Sequence, residues 1–175
     1  MLPGVSRPLA AILPGVWRRT RPVIACLLVM SAAACAAQPA ACDARLPAVS
    51  ATLVTESASH GLRLEVADDD EERRQGLAGR SALADDCGML FSYPADVRNG
   101  YWMRGTRIAL DLAFIDASGR VTEVTTLQPC RADPCPTFTP TDPYRMVLEV
   151  RAGLLGELGA GAGSRLTVAE EPAPR

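Results

Sequence analysis

The chain has 175 residues, 48% of them hydrophobic and 22% charged, which suits one globular domain with a buried core. All 18 basic residues are arginine, so Schiff-base chemistry, a serine-lysine dyad and a phosphate loop with its lysine are excluded. Four arginines and none of the 20 acids precede Cys35; without that segment the balance is 14 against 20, a net charge of −6, which argues against nucleic acid as a partner.

Residues 1–35 read as a secretory signal. Arg18, Arg19 and Arg21 flank an apolar run over residues 23–30, too short to span a bilayer, that ends in Ser31-Ala-Ala-Ala-Cys35. The three alanines before Cys35 resemble the lipobox of bacterial lipoproteins, whose cysteine is lipidated after cleavage; plain cleavage near Cys35 or Ala37 is the alternative. The arginine pair is read as a generic positive flank, not a twin-arginine signal, and its distance from Met1 suits a later start codon. The expected location is the cell envelope, as a periplasm-facing lipoprotein held to the membrane through Cys35, or as a soluble periplasmic protein. Residues 36–48 read as an Ala/Pro-rich tether, 49–170 as a single β-rich domain and 171–175 as a tail.

Residues 51–55 and 62–67 are expected as strands about a polar turn over 56–61. That turn carries the only histidine, His60, read as solvated, so a catalytic triad or cysteine-histidine pair has weak support. Residues 68–77 read as a short helix with acids in its first turn, capping-box spacing from Asp68 to Glu71, and Gly76 and Gly79 ending it. The acidic run at 68–72 fails as a calcium loop, because Arg73 stands where glycine is needed and Gly79 where glutamate is.

The centre of the chain is residues 88–116, GMLFSYPADVRNGYWMRGTRIALDLAFID. Over 108–115, Ile108, Leu110, Leu112 and Phe114 alternate with Ala109, Asp111 and Ala113, the period of a half-buried strand. Asp111 therefore faces away from the apolar stripe, between two alanines that leave room for a partner side chain, a water or a ligand. Residues 116–119 read as a hairpin turn and 120–127 as the next strand. After a proline-rich loop, Tyr144, Met146, Leu148 and Val150 form one strand face, with Arg145 and Glu149 on the other. Residues 152–158 read as a helical turn and 164–169 as a closing strand. The result is a mainly β fold, a compact β-sandwich or barrel of about seven or eight short strands with one or two short helices.

Outside the signal four cysteines remain, an even set with three possible connectivities that suits an oxidising compartment. The favoured pairing is Cys130 with Cys135, closing a small loop, which leaves Cys42 with Cys87 to tie the N-terminal segment to the domain. The rival is a metal site including His60, but no close cysteine pair has zinc spacing. No metal or cofactor is expected.

In this order ERRQGLAGR, GMLFSYP, YWMRGTRIALDLAFID, GRVTEV and VLEVRAG resemble the bacterial and archaeal family catalogued as domain of unknown function 192 (uncharacterised protein family 0127). The resemblance covers residues 62–168 and rests on Gly76, Leu77, Arg80, the GMLF at 88–91, Trp102, Met103, Thr106, Leu110 and Asp111. It departs at Gly105, where asparagine is usual. It implies a compact β-rich domain, frequently exported or membrane-anchored, with no established activity.

Asp111 is read first as a structural carboxylate paired with Arg80, Arg104 or Arg107, and second as a general base or ligand anchor in a cleft beside Trp102. Trp102 and Tyr101 are core or rim aromatics on the plain reading and a binding platform on the other. Arg80 caps the helix or pairs with an acid, with an anion site as the alternative. Gly76, Gly79 and Gly88 read as positions of unusual backbone dihedrals. Glu149 with Asp111 could make a glycosidase-type carboxylate pair. The expected function is a non-catalytic envelope module that binds a small ligand or a protein, with Arg80, Trp102, Arg104, Asp111 and Glu149 as candidates. The alternatives are an envelope hydrolase using Asp111, Glu149 and an arginine on a glycan or acyl ester, and a purely structural lipoprotein.

Overall fold

The structure is a computed structural model and describes Cys42 and residues 44–169. Alternating apolar residues form β1 (Ala48–Val54) and β2 (Ser59–Ala67), which pair antiparallel with Ala51 opposite Leu62 and Leu53 opposite His60. The chain then crosses through α1 (Asp70–Gln75) to β3 (Cys87–Val97), which runs parallel to β2; a parallel neighbour needs such a crossover. There follow β4 (Tyr101–Trp102), β5 (Leu110–Ile115), β6 (Val121–Leu127), β7 (Thr137–Phe138), β8 (Tyr144–Arg151), α2 (Leu154–Glu157) and β9 (Arg165–Val168). Seven strands make one sheet in the order β6-β5-β8-β3-β2-β1-β9, and β4 with β7 makes a small second sheet.

The two outermost strands of the large sheet meet at one end. Val121 N donates to Ser164 O and Leu166 N to Gly119 O, both at 2.8 Å, so the sheet curls into a half-barrel. Gly119 makes this possible: its φ is +82°, and a Cβ there would lie 2.7 Å from the Leu166 carbonyl oxygen. The Asp116 carboxylate fixes the same turn by accepting from Ser118 N, Ser118 Oγ and Arg120 N.

Both faces of the sheet are covered. The inner face packs Leu53, Leu64, Leu90, Leu148 and Val150 against Leu154 and Leu155 of α2. The outer face packs Met89, Phe91, Leu112, Phe114 and Val147 against Leu77, Tyr101 and Met103. β5 is accordingly buried at every position, not at alternate ones.

Three local expectations shift. The helix is shorter than residues 68–77, and its capping box is Asp69 with Glu72, one residue later than Asp68 with Glu71. His60 lies within β2 and not in a turn, half-buried opposite Leu53. Tyr144 joins the outer aromatic cluster with Val147, while Met146, Leu148 and Val150 face inward, so the expected polar face of β8 is a second buried face.

Two disulfides form, Cys42–Cys87 and Cys130–Cys135, with Cα separations of 5.7 and 5.8 Å. They fit an oxidising, exported environment. No helix among the described residues is long and apolar enough to cross a membrane. Cys35 and its flanking signal lie outside the described residues. Cys42–Cys87 fastens the segment before β1 across 45 residues of chain. Arg45 N and Leu46 N then donate to the Glu65 carboxylate at 2.7 and 3.1 Å, and Val66 N donates to Pro47 O. Replacing both cysteines by serine is expected to lower the unfolding free energy by about 3–4 kcal/mol, the loop-closure value for that span. Urea denaturation reads this directly, and a loss below about 1 kcal/mol would mean that the hydrogen bonds hold the segment unaided.

Candidate functional site

A row of side chains crosses the outer face from β2 to β5: Glu65, Met89, Glu149 and Leu112 are successive neighbours in the strand register. It contains two buried carboxyl groups with opposite fates. Glu65 meets Arg80 at 2.5 Å, with side chains 2% and 3% exposed, and takes the two backbone donors from Arg45 and Leu46 on its other oxygen. Arg80 thus pairs with an acid. Glu149 is only 6% exposed and, among the described residues, makes no hydrogen bond or ion pair. Burial pushes its carboxyl group up from 4.5 to about 8, so it keeps its proton at neutral pH.

Glu149 opens onto a cleft of about 490 Å³. The last turn of α1 supplies Arg73 and Arg74, where basic residues suit the negative end of the helix dipole. Arg73 is committed: it donates to Asp70 at 2.7 Å and to Ser92 O at 2.8 Å, and lies 4.9 Å over the Tyr93 ring. This contact holds the Asp70 carboxyl below its usual value, hence ionised. Arg74 pairs with Glu71 at the surface. From the other side come Tyr101 and Trp102 of β4, then Arg104 and Thr106. Trp102 is 54% exposed, and the Arg104 guanidinium stands 5.9 Å over its ring. Among the described residues Arg104 is otherwise held by exposed Asp133 at 3.5 Å, a contact of little energetic value. The Tyr93 and Tyr101 hydroxyl groups share a 2.9 Å hydrogen bond; burial first, then Tyr93, drives the Tyr101 phenol far above its usual value.

Two glycines of the central stretch act here for different reasons. A Cβ on Gly88 would lie 2.6 Å from the Glu149 carbonyl oxygen, so this glycine lets β3 and β8 approach beside the acid; its role is clearance and not an unusual dihedral. Gly105 has φ +75°, a region that asparagine also tolerates, so the departure from the asparagine of the resemblance keeps the backbone form.

Asp111 is elsewhere. It stands opposite Val150 while Glu149 stands opposite Leu112, and adjacent residues of a strand point to opposite faces. The structure thus separates the two carboxyl groups across the sheet, and the glycosidase-type pair does not form. Nor does Asp111 meet Arg80, Arg104, Arg107 or Trp102. It faces inward, where one oxygen accepts from Thr126 Oγ1 at 2.7 Å and the other from Leu155 N at 3.1 Å. Leu155 is the second residue of α2, whose own N-cap is Gly153 with no side chain to offer, so Asp111 caps the helix from β5. Ala113, two residues on, packs in the inner core with Leu154 and Leu155 of that helix.

Among the described residues the one cluster with metal-ligand character is Cys42, Asp86 and Cys87, and its two sulfurs are joined in a disulfide. His60 is not part of it. Of the candidates from sequence, the cleft gathers Trp102, Arg104 and Glu149 and excludes Asp111; Arg80 lies beside a smaller neighbouring cavity with Glu65. Sequence reasoning missed Arg73, Arg74, Tyr93 and Thr106. The ERRQGL segment held a signal, since a helix ending in two arginines before glycine presents its cations together. Asp111→Ala is expected to cost about 2–3 kcal/mol by stranding a buried N–H and a hydroxyl group, and Asp111→Asn about 1 kcal/mol because the amide oxygen still accepts. Equilibrium denaturation at neutral pH separates the two.

The sequence pattern of the family described as "Uncharacterized ACR", DUF192, matches residues 52–168. No curated protein matches the chain. Among solved structures it is similar to a candidate transcription regulator from Sinorhizobium meliloti, with 31% identity and a TM-score of 0.66 over 72% of this chain and 97% of that one. It is also similar to a protein of unknown function from Novosphingobium aromaticivorans, with 31% identity and a TM-score of 0.64 over 75% of this chain and 94% of that one.

Proposed function

Because this chain belongs to the DUF192 family, whose members are described only as uncharacterised, its function has to be argued from its own site, and we propose that it is a binding module that takes a small ligand into the cleft above Glu149. One observation carries this reading: a buried carboxyl group without a partner opens into a cavity whose size falls in the range of about 300–1,000 Å³ common to small-molecule sites. Left unpaired, such a group weakens the fold, and a weakness of this kind is a mark of binding sites. The protonated carboxyl group donates one hydrogen bond and accepts another, Trp102 offers a ring face, and arginines stand at the mouth. A hydrolase using Asp111 with Glu149 is disfavoured by their opposite faces. The regulator description of the Sinorhizobium protein is not carried over, since without its first 35 residues this chain has a net charge of −6 and no basic stripe.

Carbon-13 NMR of labelled glutamate is expected to show Glu149 titrating near pH 8. Stability carries the same sign: with the folded value raised above 4.5, the contribution of Glu149 is fully present below pH 4.5 and is lost as the pH rises through 8. Relative to Glu149→Gln, the parent loses about 1.4 kcal/mol per pH unit across that window. In parallel, a polar-fragment library is screened by amide and indole shifts at Trp102 and Thr106. A midpoint near 4.5 together with a cleft that no fragment perturbs would sink the proposal.

We also propose that Cys35 is lipidated and that residues 36–48 hold the domain off an envelope membrane. The support is the run of three alanines before Cys35 and the two disulfides. Labelled fatty acid is expected to enter the expressed chain and to be lost in Cys35→Ser; an unlabelled parent protein would mean plain cleavage.

A further inference from the structure

We infer that the ligand is a sugar of monosaccharide size bearing an oxyanion, a carboxylate or a phosphate, with its ring against Trp102, its charge on Arg104 and a hydroxyl group on the Glu149 carboxyl. This rests on the cleft being a ligand site.

Charge makes the first argument. Three guanidinium groups, those of Arg73, Arg74 and Arg104, line the cleft, and each has a carboxylate beside it, Asp70, Glu71 and Asp133 in turn. The guanidinium whose acid is distant and exposed is the one open to an incoming anion. Arg73 is spent on Asp70 and Ser92, and Arg74 on Glu71, which leaves Arg104, weakly held and beside Trp102, as the fork that grips it.

The deep end makes the second. A bare aromatic acid would meet a proton-bearing carboxyl group at the floor and leave it unsatisfied, at a cost of about 1–3 kcal/mol. A ring edged with hydroxyl groups satisfies it, since Glu149 can donate to and accept from one hydroxyl group, and Thr106, Asn99 and Gln75 offer further polar atoms along the wall. The half-exposed Trp102 supplies the apolar face on which the C–H side of a sugar ring lies. The charged or titratable groups sharing the cleft with Glu149 are Tyr93, Tyr101, Asp70, Arg73, Arg74 and Arg104. Burial holds the Tyr101 phenol far above its usual value, and Glu149 is the group of this cleft pushed up to about 8.

The test is calorimetric titration of the full chain with glucose, glucuronate and glucose 6-phosphate, repeated on Arg104→Gln and Glu149→Gln after circular dichroism has checked that each variant is folded. At pH 7 the two anions are expected to bind about tenfold or more tighter than glucose, and the preference is expected to collapse to about threefold or less in Arg104→Gln. Whichever of glucuronate and glucose 6-phosphate binds tighter identifies the oxyanion. Raising the pH from 7 to 9 is expected to weaken anion binding in the parent, as Glu149 ionises beside the anion, and to leave Glu149→Gln flat. Glucose binding as tightly as either anion overturns the inference while leaving the cleft a ligand site. So does silence towards all three sugars when fragments of the preceding screen do perturb Trp102. Silence towards both sugars and fragments removes the cleft reading itself, and this inference with it.

Discussion

Because both faces of the large sheet are covered, a carboxyl group buried on one of its central strands must find donors inside the protein or give up its charge. Three such groups occur, and the fold treats each differently. Glu65 is met by the Arg80 guanidinium and two backbone N–H groups, which together satisfy both oxygens of a charge that would otherwise cost several kcal/mol to bury. Asp111 is met by a helix start and a threonine. Glu149 has neither arrangement and stays protonated, since taking up a proton costs far less than burying a bare carboxylate.

The surroundings of Glu149 are stiff, which is what a binding site needs. Tyr101 is held edge-on by Phe91 and Phe114 at ring separations of 5.4 and 5.7 Å, and Phe114 in turn stacks on Phe138 of the small sheet. That packing fixes β4, so the next residue, Trp102, points outward by alternation and stays exposed because the strand cannot turn over. Gly88 brings β3 against β8 at the acid itself. At the other end of the row, the bonds that secure the N-terminal segment to Glu65 occupy that carboxylate, so Glu149 is the acid of the row left to a ligand.

The strands were legible in outline. The alternation in residues 108–115 and 144–150 located β5 and β8, and the Asp116 to Gly119 turn was plain from its residue types. The helix register slipped by one because three aspartates precede two glutamates, so two capping boxes of equal spacing compete, and only the path of the chain leaving β2 chooses Asp69 with Glu72. The pattern of β8 predicts a polar face that the structure buries, because a strand with one solvated side and a strand buried on both sides can both carry a glutamate; the difference lies in what covers it. An acid inside an apolar run needs a partner, but backbone N–H groups leave no trace in a residue pattern, so the sequence offers only arginines to Asp111.

The sequence by itself determined the β class, the family, the arginine-only basic set, the even cysteine set and the acids that would need an explanation, because composition, period-two alternation and turn chemistry are properties of neighbouring residues. Only the tertiary structure decided which strands lie side by side and which elements cover them. That decision set Asp111 and Glu149 on opposite faces of the sheet, although their strands are adjacent and each carries one acid in an apolar run. The physical reason is register: a shift of one residue between β5 and β8 would exchange the faces, and it is fixed by the sum of contacts over the whole sheet and not by any stretch of the chain alone.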